Sequence, residues 1–468
     1  MIFSNLLRGK LSQEGKRFDV FSPIDQKVIG QGITISSGEI DRVFERLHQS
    51  FKNSSKDREA IDFKKLAAYI NSRKKSFVDQ IILETGYTLK DATDLVEGSI
   101  EFLSYFEDHI NEVNNPIQVA TFSFNVKTGR RLCVYSKPYG VIAAMTAQNA
   151  PLLLELTVIA NALVGGNSII LRPSSQCVGT ISLLSRALVK TLPTSILEKI
   201  NIVSCNAIDF LESSHKKANL IHYIGSSRHG LNILRESIES NVKVLVDGEG
   251  SSFVVVGKNI PLDSVIKACR DGIVRCNGEL CSSIRMILVP KENYEEFSGK
   301  LAEALNSLSI GDPRLNNNNM GPLFHEKQAE GLLEIAKKYK IISGKSEKLP
   351  LGKNYIAPVL CALGSRDGKF LEEDVYGPIA GIMPYEKDEW KKWLGKSPCN
   401  LNDALFSNDK KMQEEFIRES KASRIIINHD PSIESVFEPW GGFLPSGFND
   451  VSFWANKYRQ SIQVDTDS

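Results

Sequence analysis

Between Gly140 and Val246, short apolar segments alternate with segments long enough for amphipathic helices, and this alternation constrains the fold more than any other feature. Residues 140–146, 167–171, 199–204, 219–224 and 242–246 read as buried strands, and residues 152–164, 178–191 and 230–239 as helices. Units of this length need crossover connections, which are right-handed and set the strands parallel in one sheet. The expected fold class is therefore α/β, with ligands at the carboxyl ends of the strands. Helical spacing over residues 40–109 predicts a layer that covers the sheet.

A second alternating unit follows Gly250, with helices expected at 262–276 and 292–308 and strands at 284–290, 379–384 and 424–428. No Gly/Ser linker divides the units, so they are expected to pack together around a cleft. The 468 residues fit this division, since single cores stop growing at roughly 250 to 300. Residues 117–136 read as strand-turn-strand around Thr128-Gly129, a projecting hairpin whose apolar side chains need a partner surface.

With 57 basic and 56 acidic residues, the chain has no electrostatic reason to bind nucleic acid or an anionic membrane. The apolar run before Arg8 is too short for a signal peptide. The most apolar stretch, 140–171, is broken by Gln148, Asn149, Pro151, Glu155, Asn161 and Gly165-Gly166, which argues against a membrane span. Eight cysteines show no zinc-ligand spacing, so the expectation is no metal, reduced thiols and a cytoplasmic location.

Cys281 ends the run Arg275-Cys276-Asn277-Gly278-Glu279-Leu280-Cys281, between an expected helix and an expected strand. A thiolate in such a loop can reach an electrophilic carbonyl carbon without its neighbours moving. Gly225-Ser226-Ser227-Arg228-His229-Gly230 follows a strand and opens a helix, where backbone amides suit a dinucleotide diphosphate. Gly225, Ser226 and Gly230 are its candidate contacts. Leu171-Arg172-Pro173-Ser174-Ser175 ends another strand, where Arg172 would face a ribose or its 2′-phosphate. Taken singly, each feature has a plainer use as a buried thiol, a helix start or a surface arginine.

The order of motifs changes that balance. Gln148-Asn149-Ala150-Pro151, Leu171-Arg172-Pro173-Ser174, Gly225-Ser226-Ser227, Gly278-Glu279-Leu280-Cys281, Glu373-Asp374-Val375-Tyr376-Gly377-Pro378 and the run from Pro439 to Gly447 follow one another at family-like intervals. In these motifs, over nearly its whole length, the chain resembles the NAD(P)-dependent aldehyde dehydrogenase superfamily. The resemblance implies a Rossmann-type NAD(P)-binding domain (1–116 and 137–247), an α/β catalytic domain (248–447), and oligomerisation elements (117–136 and 448–468) that build a homodimer or homotetramer. It implies an enzyme that oxidises a small-molecule aldehyde with NAD or NADP, through a cysteine thiohemiacetal and thioester, to a carboxylate. Cys281 would attack the aldehyde carbon, and the Asn149 amide with the Cys281 N–H would hold the oxyanion. Asp374 stands where the family has a glutamate on the nicotinamide ribose.

Departures from the pattern bear on the second half of the reaction. Val246 occupies the position of the family's general-base glutamate and cannot accept a proton. Asp247, Glu249 and Glu279 are the nearest carboxylates, and Asp247 belongs to the opposite strand face unless the strand ends early. Three outcomes stay open: an unconventional base completes hydrolysis, coenzyme A or another thiol takes the acyl group, or the chain is a non-catalytic binding or structural protein on this fold. A thiol-redox role for Cys276 and Cys281 is disfavoured because their spacing is not CxxC. Ser175, where NAD-preferring members often carry glutamate, and Arg172, in place of a lysine, together favour NADP. Gln148 and Ala150 replace bulky aromatics beside Asn149, which implies a wider or more polar tunnel, with Trp440 and Phe448 as candidate apolar walls.

Overall fold

The computed structural model describes residues 1–53, 61–113, 117–123, 130–344, 347–399, 401–438 and 440–467. Its first seven-stranded sheet contains, in chain order, β1 (Asn5–Leu7), β2 (Lys10–Ser12), β3 (Val141–Met145), β4 (Ser168–Arg172), β5 (Ile200–Ile202), β6 (Leu220–Ile224) and β7 (Lys243–Asp247). Their spatial order is β7-β6-β3-β4-β5-β1-β2. The five strands β3 to β7 run parallel, as the alternation requires. Order reverses beside β3, which is where a doubly wound sheet opens a crevice for ligands.

Alternation along these strands feeds two separate cores. Ile142, Ala144, Ile169, Leu171, Leu220 and Leu245 belong to one buried cluster, and Val141, Ala143, Met145, Ile170, Ile221, Tyr223, Val244 and Val246 to another. The helices Phe63–Ser72, Lys74–Thr85 and Leu153–Val164 supply side chains to the first, and Ser37–Asn53 and Ser227–Ser240 to the second. Burial on both faces explains why the strands are near-continuous apolar runs. The expected helical layer over 40–109 is present on both sides of the sheet, with its longest member at Leu89–Val113.

The second seven-stranded sheet comprises β8 (Ser252–Val256), β9 (Ile284–Pro290), β10 (Lys340–Ser343), β11 (Val359–Ala362), β12 (Ile379–Tyr385), β13 (Asn402–Phe406) and β14 (Arg424–Ile427), in spatial order β10-β11-β12-β9-β8-β13-β14. Only β10 is antiparallel to its neighbour. Among these strands β8, β10, β11 and β13 were not expected from pattern.

Three local expectations need correction. The segment expected as one strand at 199–204 is divided: β5 stops at Ile202, and Ser204–Cys205 pairs with Val28–Ile35 in a separate three-stranded sheet. The helix expected at 262–276 ends at Val274, because Cys276 (φ 49°), Asn277 (φ 56°) and Gly278 (φ 71°) are left-handed. The helix expected at 230–239 starts earlier, at Ser227.

The projecting hairpin consists of Ile117–Ser123 and Arg130–Pro138, and Arg459–Asp467 from the tail pairs along the second of these strands. The turn around Thr128-Gly129 lies outside the described residues. Elsewhere in the tail, Asn449–Ser452 pairs with Trp440–Gly442. Among the described residues no helix is long and apolar enough to cross a membrane.

Candidate active site

Residues just after β3, β4, β6 and β7 and residues just before β8, β9, β12 and β13 line one cavity of about 680 Å³. The crevice of the first sheet therefore opens toward the amino-terminal edge of the second. Cys281 and Asn149 both line it, as do Arg172, Ser175, Gly225, Ser226 and Asp374. Gly230 does not: a side chain there would overlap Val246 Cγ1, so its role is close packing of the helix Ser227–Ser240 on β7.

The Cys281 loop is rigid because buried polar groups hold it from both sides. Asn277, fully buried, donates to the carbonyls of Gly86 (3.2 Å) and Pro322 (2.8 Å) and accepts from the Gly321 N–H (2.9 Å). Arg285, also buried, donates to the carbonyls of Gly377 (2.9 Å) and Gly278 (2.8 Å). Such bonds offset the roughly 1 to 3 kcal/mol that each left-handed non-glycine residue costs. Among the described cysteines only Cys281 and Cys399 are partly exposed, and both line the cavity. Burial, then the charges of Glu434 and Asp247, push the Cys281 thiol up to about 12, while backbone N–H groups at Cys281 and Ser282 pull it down. The resting thiol thus carries its proton at neutral pH and needs an acceptor before it can attack.

Asn149 is positioned by an equally constrained turn. The Tyr87 hydroxyl donates to its carbonyl at 3.0 Å, and Leu152, left-handed at φ 75°, donates its N–H to the Glu155 carboxylate at 2.8 Å. The other Glu155 oxygen accepts from the Thr146 hydroxyl at 2.6 Å, closing the turn onto β3. Among the described residues the buried Asn149 side-chain oxygen has no hydrogen-bond partner, a state uncommon in native proteins.

The carboxylates weighed as bases separate clearly. Glu279 is buried and turned away from the cavity, its Oε1 accepting from Gln328 (2.7 Å) and the Phe324 N–H (3.3 Å), and burial raises its pKa well above the usual range. Glu249 lines the cavity beside Ser226 and Asp374, and burial followed by the Asp374 charge raises its pKa. Val246 is buried among Tyr223, Ile233 and Met145. Asp247, the last residue of β7, lies on the other face, lines the cavity and meets His222 Nε2 at 2.7 Å. Phe448, expected as a tunnel wall, is exposed and outside the lining, while the Trp440 side chain lies outside the described residues. Trp454, with Leu153, Leu154 and Val436, supplies apolar lining instead.

The aldehyde dehydrogenase family model matches residues 10–465. The chain belongs to the aldehyde dehydrogenase family. It is an NAD(P)-dependent aldehyde oxidoreductase. The D-glyceraldehyde dehydrogenase (NADP(+)) of Thermoplasma acidophilum is 24% identical over 433 residues, covering 89% of this chain and 86% of that protein. A betaine aldehyde dehydrogenase of Staphylococcus aureus, solved with NAD+, superposes with a TM-score of 0.90 at 18% identity, over 99% of this chain and 94% of that one. An NADP-dependent enzyme of E. coli superposes equally well, at 0.90 and 19% identity, over 99% and 98%. At these identities the two structures establish the shared fold.

The dinucleotide that aldehyde dehydrogenases use fits the donors present. Ser226 caps the 14-residue helix Ser227–Ser240 without a side-chain cap bond, and the Glu249 carboxylate interacts with the Ser226 hydroxyl and the Ser227 N–H at the cavity wall, where a diphosphate would take its place. Arg172 is anchored by its Nε–H to the Cys205 carbonyl at 3.1 Å and still lines the cavity next to Ser175. Arg285, Glu434, Cys399 and His222 escaped sequence reading. His222 had left a faint signal, an imidazole in the apolar run Leu220-Ile221-His222-Tyr223-Ile224.

Proposed function

We propose that Cys281 is the nucleophile of this aldehyde dehydrogenase, that Asn149 holds the oxyanion, and that the acyl group leaves to water as a carboxylate. The observation that carries this reading is the convergence of Cys281, Asn149, Ser226, Arg172 and Asp374, from distant parts of the chain, on one cavity. Loss of the thiol proton to solvent frees Sγ to bond to the aldehyde carbon, whose C=O π pair passes to oxygen, giving a thiohemiacetal oxyanion on Cys281. The Asn149 amide and the Cys281 N–H then face the developing oxyanion, where preorganised donors of this kind are worth roughly 3 to 4 kcal/mol each. When bound, the nicotinamide supplies the hydride acceptor that turns the thiohemiacetal into a thioester. Ser226 and the amides after it would hold the diphosphate, Asp374 the nicotinamide ribose, and Arg172 with Ser175 the adenosine ribose.

The neutral Ser175 beside the Arg172 cation favours NADP over NAD. Gln148 and Glu434 give the substrate end polar character next to Leu153, Leu154 and Trp454, which suits a short polar aldehyde. The three-stranded arm of Ile117–Ser123, Arg130–Pro138 and Arg459–Asp467 ends in strand edges that can pair with another subunit, which supports a homodimer or homotetramer. The scattered cysteines support a cytoplasmic setting.

Steady-state assay of an aldehyde panel with NADP or NAD, with and without coenzyme A, tests the reading. Sustained cofactor reduction without coenzyme A, with carboxylate as product, is the expected result. Turnover that depends on coenzyme A replaces hydrolysis with acyl transfer, and no reduction with any aldehyde overturns the oxidoreductase assignment of this site.

A further inference from the structure

A carboxylate occupies the cavity close to the nucleophile although the expected position holds Val246. β7 ends at Asp247, so the strand's last side chain emerges at the cavity on the face opposite Val246. Behind it runs a buried hydrogen-bond chain. The Tyr458 hydroxyl lies 2.5 Å from His222 Nδ1, and His222 Nε2 lies 2.7 Å from Asp247 Oδ2. An ionised carboxylate only accepts, so Nε2 carries a proton and donates to Asp247, which leaves Nδ1 to pair with the Tyr458 hydroxyl. His222 and Tyr458 are fully buried, and the edge of the imidazole is fixed against Trp454 at a ring-centroid distance of 4.8 Å.

Two features bring this carboxylate to Cys281. Gly250, three residues beyond Asp247, packs so closely on the Cys281 carbonyl oxygen that a β-carbon there would overlap it. The Cys281 thiol also senses the charges of Glu434 and then of Asp247. Of the other carboxylates, Glu279 is held by Gln328 and Glu249 lies beside Ser226 and Asp374, whereas Glu434, 3.9 Å from Arg424 and with a buried Oε1 that has no hydrogen-bond partner among the described residues, is the rival base that the test must separate.

We infer that Asp247, oriented by His222 and Tyr458, is the general base that hydrolyses the acyl group from Cys281. This rests on the assignment of Cys281 as the acylated nucleophile. In the step, the water oxygen bonds to the thioester carbon and one water proton passes to the Asp247 carboxylate. The C–S bond breaks with its electron pair on Cys281 Sγ, the carboxylic acid departs, and the proton on Asp247 returns to the thiolate or to solvent. No oxidant or reductant is involved. Asp247 is the catalytic residue here, and His222 and Tyr458 are positioning residues.

The test uses p-nitrophenyl acetate, an activated ester that acylates a thiol without any cofactor. In the full-length wild type, a burst of nitrophenolate followed by a steady rate separates acylation from deacylation. Asp247→Asn is expected to keep the burst and lose about 100- to 10,000-fold of the steady rate, the usual range for general-base help, with acetyl-Cys281 accumulating in intact-protein mass spectra. The burst itself reports that the variant is folded. His222→Phe, which removes the donor to the carboxylate, is expected to move the onset of deacylation to higher pH. Among the described residues the titratable groups facing Asp247 are His222, Tyr458 and Cys281, and loss of the steady rate in Glu434→Gln with its retention in Asp247→Asn would make Glu434 the base and overturn the inference. Asp247→Asn deacylating at the wild-type rate overturns the inference alone. Should that variant fail to fold, an unmoved onset in His222→Phe overturns it. Nitrophenolate release in the wild type no faster than in Cys281→Ala removes the acyl-enzyme and overturns both this inference and the assignment of Cys281.

Discussion

The Gly250 α-carbon is packed against the Cys281 carbonyl, with no room between them for a methyl group. The loop that leads from the first sheet into the second therefore sets the position of Cys281. Leu401 crowds the same place, with side-chain atoms 3.0 and 3.1 Å from where a β-carbon would stand. Gly250→Ala is expected to cut aldehyde oxidation at least 100-fold, since displacements of about 1 Å at a reacting group have effects of this size. Steady-state rates beside a thermal melt check this, with the loss of rate expected to exceed any fall in stability.

Asn149→Ala should lower kcat by about 100- to 1,000-fold with little change in KM, because the amide acts on charge that develops only in the transition state. NADP titration of the same variant should match the wild type. Equal losses in kcat and in cofactor affinity would instead identify Asn149 as a determinant of the turn.

Cofactor affinity should depend on pH through Glu249. Burial and the neighbouring Asp374 hold its pKa above the usual carboxylate range, and its ionised form repels a diphosphate near Ser226. NADP is therefore expected to bind more tightly as pH falls and Glu249 takes up a proton. Glu249→Gln should tighten binding at neutral pH by roughly tenfold, about 1.4 kcal/mol of relieved repulsion, and flatten the pH dependence. Ser175→Glu should reverse the preference to NAD. Fluorescence titrations across pH check all three effects.

Stability should fall as pH rises, through two buried carboxyl groups. Glu84 and Glu155 are buried, and burial raises each from 4.5 to about 7. A carboxyl whose folded pKa lies above its unfolded value contributes fully below the unfolded pKa, and that contribution is lost as pH rises through the folded one. Each group therefore favours the folded state below about pH 4.5 by on the order of 3 kcal/mol relative to pH above 7. Denaturant midpoints are expected to drop between pH 5 and pH 8, and to drop less in Glu84→Gln/Glu155→Gln.

How much of this was legible in the sequence depended on the range of the interactions. The strands β3, β4, β6 and β7 were readable because burial on both faces makes them continuous apolar runs bounded by glycine or polar turns. β8 and β13 carry the same burial, but β8 follows β7 after only a short turn with no helix between, and polar Asn402 and Asp403 open β13. The division of 199–204 depends on Val28–Ile35, a partner far away in the chain that no local pattern specifies. At the site, Cys281, Asn149 and Arg172 stood in readable motifs. His222 and Tyr458, 236 residues apart, meet only through the packing of the tail against β6 and Trp454. Gly230 read as a phosphate contact because its spacing suits one, whereas its place is set by contact with Val246.

The most direct test of the central claim is stopped-flow reduction of NADP by an oxidisable aldehyde, in the wild type and in Cys281→Ala. The account predicts reduced cofactor in the wild type and none in the variant, with NADP binding equally tightly to both. Cofactor reduction by Cys281→Ala at the wild-type rate would contradict it.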